Sequence, residues 1–167
     1  DDESDHNVVT IEHNRLVFCD QLVASYASVG RAEEAVATTV SLLAEAPDKF
    51  TSWPQLIECL NSHYGGAALE LLVPLTLQDS VGGFFEPIIK TYPSGIVADF
   101  CAAYVDQGGP IVEAVRVGLL AAAMSSNDDA FKAIAPAASN LDPFVRVGLA
   151  DRIAASGRPD LAEELRS

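Results

Sequence analysis

The chain has 167 residues, enough for one domain with a continuous core, and with 49% hydrophobic and 20% charged residues it is not a disordered polymer. Aromatics make up only 7% and alanine recurs throughout, which favours closely packed helices over a sheet. Its 24 acidic side chains against 10 basic ones give a formal charge of −14, a field that opposes binding to DNA, RNA or anionic lipid and suits a basic partner or simple solubility.

Residues 1–12 open on DDESD and read as an acidic tail or linker, with Val8 to Ile11 a short apolar patch. With no initial Met and no signal-peptide layout, the chain reads as a segment of a longer polypeptide. From His13 to Val29, Leu16, Cys19, Leu22, Val23 and Tyr26 recur at helical spacing. Gly30 ends that helix. Arg31 to Glu45 is its partner, with Ala35, Val36, Thr39 and Leu42 inward, Glu33 and Glu34 in the first turn, and Pro47 as the stop.

Ser52 caps the next helix, with Pro54 near its start and Trp53, Leu56, Ile57 and Leu60 as its stripe. His63 to Gly66 breaks the pattern. Ala67 to Leu77 follows as a short or kinked helix because Pro74 lies within it. A short extra helix is expected at 84–92. After Pro93 and Gly95 comes Ile96 to Gln107, closed by Tyr104 and Gly108, and then Val112 to Met124. Another short helix is expected at 130–138. Asp142-Pro143 opens the last pair, Phe144 to Ala155 and Asp160 to Leu165, with Gly157 as the turn.

The stretch 22–47 closely resembles one tetratricopeptide repeat, a helix–turn–helix unit of ~34 residues, on Tyr26, Gly30, Ala35 and Pro47. Trp53 stands 34 residues after Cys19, in a slot that often holds Trp in that family, and Arg158 to Ala162 echoes Arg31 to Ala35. The resemblance implies an all-α fold, a right-handed αα-superhelix of helical hairpins with irregular later repeats. It implies a repeat domain over 13–167, with units near 13–47, 50–78, 94–125 and 143–167. The repeat-packing positions would be Tyr26, Gly30, Ala35, Trp53, Tyr104, Gly108, Gly157 and Ala162. Turn glycines at 30, 65, 108 and 157 are separated by 35, 43 and 49 residues, so only the first two units keep the family spacing and a compact irregular bundle is the alternative.

Aligned on Tyr26, the same resemblance places Asp20, Gln21, Ala24, Ala27 and Ser28 on a concave face, with Gln55, Glu58, Asn61 and Ser62 from the second unit. Asp99 and Asp106 come from the third and Asp151 from the fourth. None is Lys or Arg, so a carboxylate clamp is not expected. A protein or peptide partner would be basic or neutral; the competing reading is a solvated face without a partner. A second resemblance rests on LLVPLTLQDS at 71–80 and on Gly30, Arg31, Glu34 and Ala35 as a GR-x-x-EA unit. It is to the helical region that follows the catalytic domain in some large bacterial glycosyltransferases. It implies an accessory domain of a sugar-transferring enzyme, not a catalytic segment.

No chemistry-bearing motif stands out. Cys19, Cys59 and Cys101 are odd in number, scattered and set in apolar helical patterns, which points to buried thiols in a reducing, cytoplasmic setting. His6, His13 and His63 lack ligand spacing, so no metal, cofactor or catalytic residue is expected. No apolar run reaches the length of a membrane span. Three function classes follow: a non-catalytic interaction or docking module, an accessory enzyme domain, and self-association as a homodimer through apolar ends such as Phe84-Phe85 or Val8-Val9.

Overall fold

A computed structural model describes residues 21–45, 53–77, 84–109 and 111–166. Among these residues every regular element is helical and no strand occurs. The acidic tail, His6, Val8-Val9, His13, Cys19, Asp20, Pro47 and Ser52 lie outside the described residues. The chain divides into two units, 1–87 and 88–167.

In the first unit, α1 covers residues 21–28 of the described chain and α2 spans Ala32–Glu45. Helix α3 spans Trp53–Tyr64, a short 3-10 turn covers Gly65–Ala67, and α4 is Ala68–Thr76. Helix α5, Phe85–Thr91, begins at the end of this unit. The α1–α2 turn is a Schellman motif. Gly30 sits at φ 76° and donates its N–H to the Ala27 carbonyl, and Arg31 donates to the Tyr26 carbonyl. Ala35 is fully buried where the second helix approaches, and Tyr26 is half-buried with the Arg31 guanidinium 5.1 Å from its ring centre. Helix α3 packs on both α2 and α4, through an apolar face of Trp53, Leu56, Ile57 and Leu60. Pro74 lies inside α4 and is exposed; the helix ends two residues later at Thr76.

Phe84 and Phe85 are buried. Their rings lie 4.2 Å apart, and Phe84 is 5.8 Å from Trp53. The expectation that this pair forms an exposed self-association surface is therefore corrected: the aromatics complete the core beside Trp53 instead.

In the second unit, α6 is Ser94–Gly108, α7 Val112–Ser125 and α8 Asp128–Ile134, which runs into a 3-10 segment at Ala135–Asn140. Helices α9, Pro143–Ala155, and α10, Pro159–Arg166, close the chain. Both begin on proline, whose missing N–H costs nothing at a first helical position. Helix α7 is the hub, packing on α6, α8, α9 and the 3-10 segment, while α9 and α10 pack together. Tyr104 and Ala162 are buried as expected, and Phe100 lies 6.0 Å from Tyr104.

The turn after α6 differs by one residue from expectation. Gly108 remains helical, and Gly109 takes the positive φ of 87°. The α9–α10 turn repeats the first turn: Gly157 at φ 95° donates to the Ala154 carbonyl and Arg158 to the Ile153 carbonyl. Ser126, at φ 55°, makes a third such turn after α7 without a glycine.

Among Gly95, Gly109, Gly118, Gly148 and Gly157 of the second unit, Gly118 has the least room for a side chain. A Cβ placed there would lie 2.6 Å from Cys101 Cβ and 2.6 Å from Ile134 Cδ1. At Gly148, in the middle of α9, a Cβ would meet nothing within 4 Å. The same substitution should therefore act with opposite signs. Gly118→Ala should destabilise by ~1–3 kcal/mol through overpacking. Gly148→Ala should stabilise by ~0.5–1 kcal/mol through helix propensity. Urea denaturation of both variants checks this; equal shifts would refute the packing of α7 against α6 and α8. Trp53→Ala should cost ~3–5 kcal/mol, read as a lower thermal midpoint.

Candidate binding sites

Each unit has a cavity that gathers polar side chains from more than one helix, and the second unit has a further one at Lys132, Ser139, Arg146 and Glu164. In the first, α1 and α3 face each other across a cavity of about 330 Å³ lined by Ala27, Ser28 and Gly30 on one side and Gln55, Glu58, Cys59, Ser62 and His63 on the other. A Cβ at Gly30 would lie 2.6 Å from His63 Nε2, the tip of an exposed side chain, so what calls for glycine there is its left-handed φ of 76°. The Ser28 and Ser62 hydroxyls donate to the carbonyls of Ser25 and Glu58, each at 2.8 Å, so their lone pairs remain to accept. Glu58 and Gln55 are exposed, and no described residue partners their side-chain ends. The site is acidic and polar, with a carboxylate, an amide and two hydroxyls along one wall and its opposite edge.

Of the residues expected on a concave face, this cavity unites Ala27 and Ser28 with Gln55, Glu58 and Ser62. Gln21 and Asn61 are exposed on α1 and α3 but do not line it. The acids of the second unit serve other ends. Asp99 Oδ1 accepts from Asn127 Nδ2 at 2.7 Å, while Asn127 Oδ1 accepts from the Ala130 N–H, so Asp99 steadies the cap of α8. Asp151 pairs with Arg166 at 2.7 Å, tying α9 to α10. Asp106 is exposed near the end of α6.

The second cavity was not foreseen from sequence. It measures about 450 Å³ and is walled by α5, α6, α7 and α9. Ile89, Val97, Leu120 and Met124 give it apolar walls; Arg116, Arg152 and Glu113 are its charged side chains. Among the described residues Arg116, Arg152 and Arg146 are in no ion pair, whereas Arg31, Arg158 and Arg166 all are. Tyr92 also lines the cavity. It is 5% exposed, its hydroxyl has no hydrogen-bond partner, and burial pushes its pKa up to about 12.

Cys59 and Cys101 are free and buried, and burial raises both thiols, Cys101 to about 12. A protonated thiol is a poor nucleophile. Among the described residues no group of His, Cys, Asp and Glu is arranged to hold a metal ion. No described helix is long and apolar enough to cross a membrane. No protein-family model, curated protein or solved structure matches the chain.

The thiol environments have a direct readout. In the folded protein at neutral pH, iodoacetamide should leave Cys59 and Cys101 largely unmodified, and both should alkylate after denaturation in guanidinium. Mass spectrometry of the peptides checks this; rapid native modification of Cys101 would contradict its burial beneath α7.

Proposed function

We propose that this chain is a non-catalytic helical-repeat module of tetratricopeptide-like organisation that docks a neutral or basic peptide segment through the α1–α3 cavity. The observation that carries the reading is the convergence of Ser28, Gln55, Glu58 and Ser62 on one cleft, with the Glu58 carboxylate uncommitted. A peptide backbone offers N–H groups to such acceptors, and a Lys or Arg side chain offers charge to Glu58.

The repeat organisation is supported by the two Gly-Arg turns. At Gly30-Arg31 and at Gly157-Arg158 the same pair of backbone bonds closes the turn. Each arginine then reaches an acid in the next helix, Glu34 or Asp160, and each turn is followed by a fully buried alanine, Ala35 or Ala162. A repeat of sequence, turn geometry and buried small residue is what a hairpin unit used more than once would leave. The same reading places the module in a reducing, cytoplasmic compartment, in keeping with its free thiols.

Fluorescence anisotropy with labelled peptides of equal length and positive, zero or negative net charge tests the assignment. Cationic and neutral peptides should bind, the affinity of the cationic ones should fall as salt rises, and Glu58→Gln should weaken them. Binding that ignores peptide charge, or that is unchanged by Glu58→Gln, would refute it.

A further inference from the structure

We propose that the cavity walled by α5, α6, α7 and α9 binds a small amphiphilic carboxylate: an apolar chain ending in a single anionic group. At about 450 Å³ it lies in the range of small-ligand sites, which are mostly apolar with a few placed polar groups. Ile89, Val97, Leu120 and Met124 supply the apolar walls, and Ile89 and Met124 are about half exposed, at 49% and 60%. An apolar chain laid over them removes that surface from water.

The charges choose the head group. The chain carries −14 overall, yet this cavity sets two arginines against one glutamate. Arg116 and Arg152 come from different helices, α7 and α9, so their convergence is a product of packing, not of a local charge run. Elsewhere in the second unit Arg158 and Arg166 are each claimed by two carboxylates, while Arg146 lies in a different cavity beside Glu164 and Lys132, so Arg116 and Arg152 are the pair set against apolar walls. Arg116 and Arg152 are left available for an anion, and guanidinium groups match a carboxylate through paired N–H donors. The surplus of one positive charge suits a monoanion.

Tyr92 also lines the cavity, and because its hydroxyl is itself buried it offers a ligand ring surface that extends the apolar walls. A peptide fits less well. Its backbone amides need partners along their length, whereas the walls between the charged groups are apolar.

Isothermal titration of the full chain with decanoate, below the concentration at which it self-associates, tests the assignment. Decanol and methyl decanoate carry the chain without the charge, and acetate carries the charge without the chain. Decanoate should bind saturably at one site. The uncharged analogues and acetate should bind at least about tenfold more weakly, the size of one charge-assisted contact. The Arg116→Ala, Arg152→Ala double variant should lose about tenfold or more; both side chains are exposed, so folding should persist and circular dichroism verifies it. Met124→Glu, also at an exposed position, should weaken decanoate by adding a like charge. Glu58→Gln, in the other unit, should leave decanoate binding unchanged, which separates this site from the peptide cleft. Absence of binding, several equivalent sites, equal binding of decanol, or unchanged affinity in the double variant would overturn the proposal. So would preference for an apolar peptide with a free C-terminal carboxylate over decanoate.

Discussion

The second unit depends on a missing side chain. Helix α7 can pack on α6 and α8 at once only because position 118 is glycine; Cys101 Cβ and Ile134 Cδ1 occupy the space a Cβ would need. Around that point Ala114, Val115, Leu119 and Ala122 are fully buried, and Ala123 nearly so. Small residues at these positions bring backbones close, so the unit gains dense packing from side chains that lose little rotamer freedom on folding. The consequence for function lies on the other side of the same helix. With one face locked, Glu113, Arg116, Val117, Leu120 and Met124 are turned toward the cavity. The position of Arg116 is thus set by the packing at Gly118, two residues away and on the buried face.

Turn chemistry plays the corresponding part at the hairpins. Gly30 and Gly157 adopt left-handed backbone that satisfies helix-end carbonyls and starts the next helix at once. The ion pairs beside them add little by comparison. Arg31–Glu34 and Arg158–Asp160 are largely solvent-exposed on their acidic side and are screened. Their hydrogen bonds hold the Glu34 and Asp160 carboxyls below the usual carboxylate range. Such a contribution is present at neutral pH and disappears as pH falls through the depressed values, so it protects the turns against mild acid only. Arg158 differs in reach, because it also contacts Asp128 at the start of α8 and joins two helix beginnings that are thirty residues apart in sequence.

Much of the helix layout was legible because local signals agree with one another. The apolar period, Gly30 and Pro74 locate α2, α3 and α4 to within a residue or two, and Pro143 marks the start of α9. Where local signals are degenerate the reading slips. In Gly108-Gly109 either residue satisfies the turn, and the left-handed one is the second. Ser126 gives no sign of its conformation, since serine rarely takes it. The buried state of Phe84 and Phe85 depends on Trp53, about thirty residues earlier. The same holds for the sites. The α1–α3 cleft was accessible through the tetratricopeptide resemblance, whose alignment put positions 27 and 28 on one face with 55, 58 and 62. The larger cavity draws on residues from 89 to 152 across four helices, and no periodicity relates Arg116 to Arg152.

Net charge matches the acidic α1–α3 cleft but is a poor guide to the character of the second unit's cavity. A charge of −14 describes the field far from the surface, but at physiological ionic strength that field decays over ~8 Å. Within a cavity of this size the nearest groups dominate, and there the second unit is locally cationic while the α1–α3 cleft is acidic. On the proposed readings the two select opposite partners under one global charge. They also respond differently to salt: the acidic cleft acts in concert with the overall field, so screening weakens both its long-range attraction and its contact. In the cationic cavity the overall field repels the anion that the arginines attract. Added salt relieves that repulsion while it weakens the contact, and the apolar walls keep their full contribution.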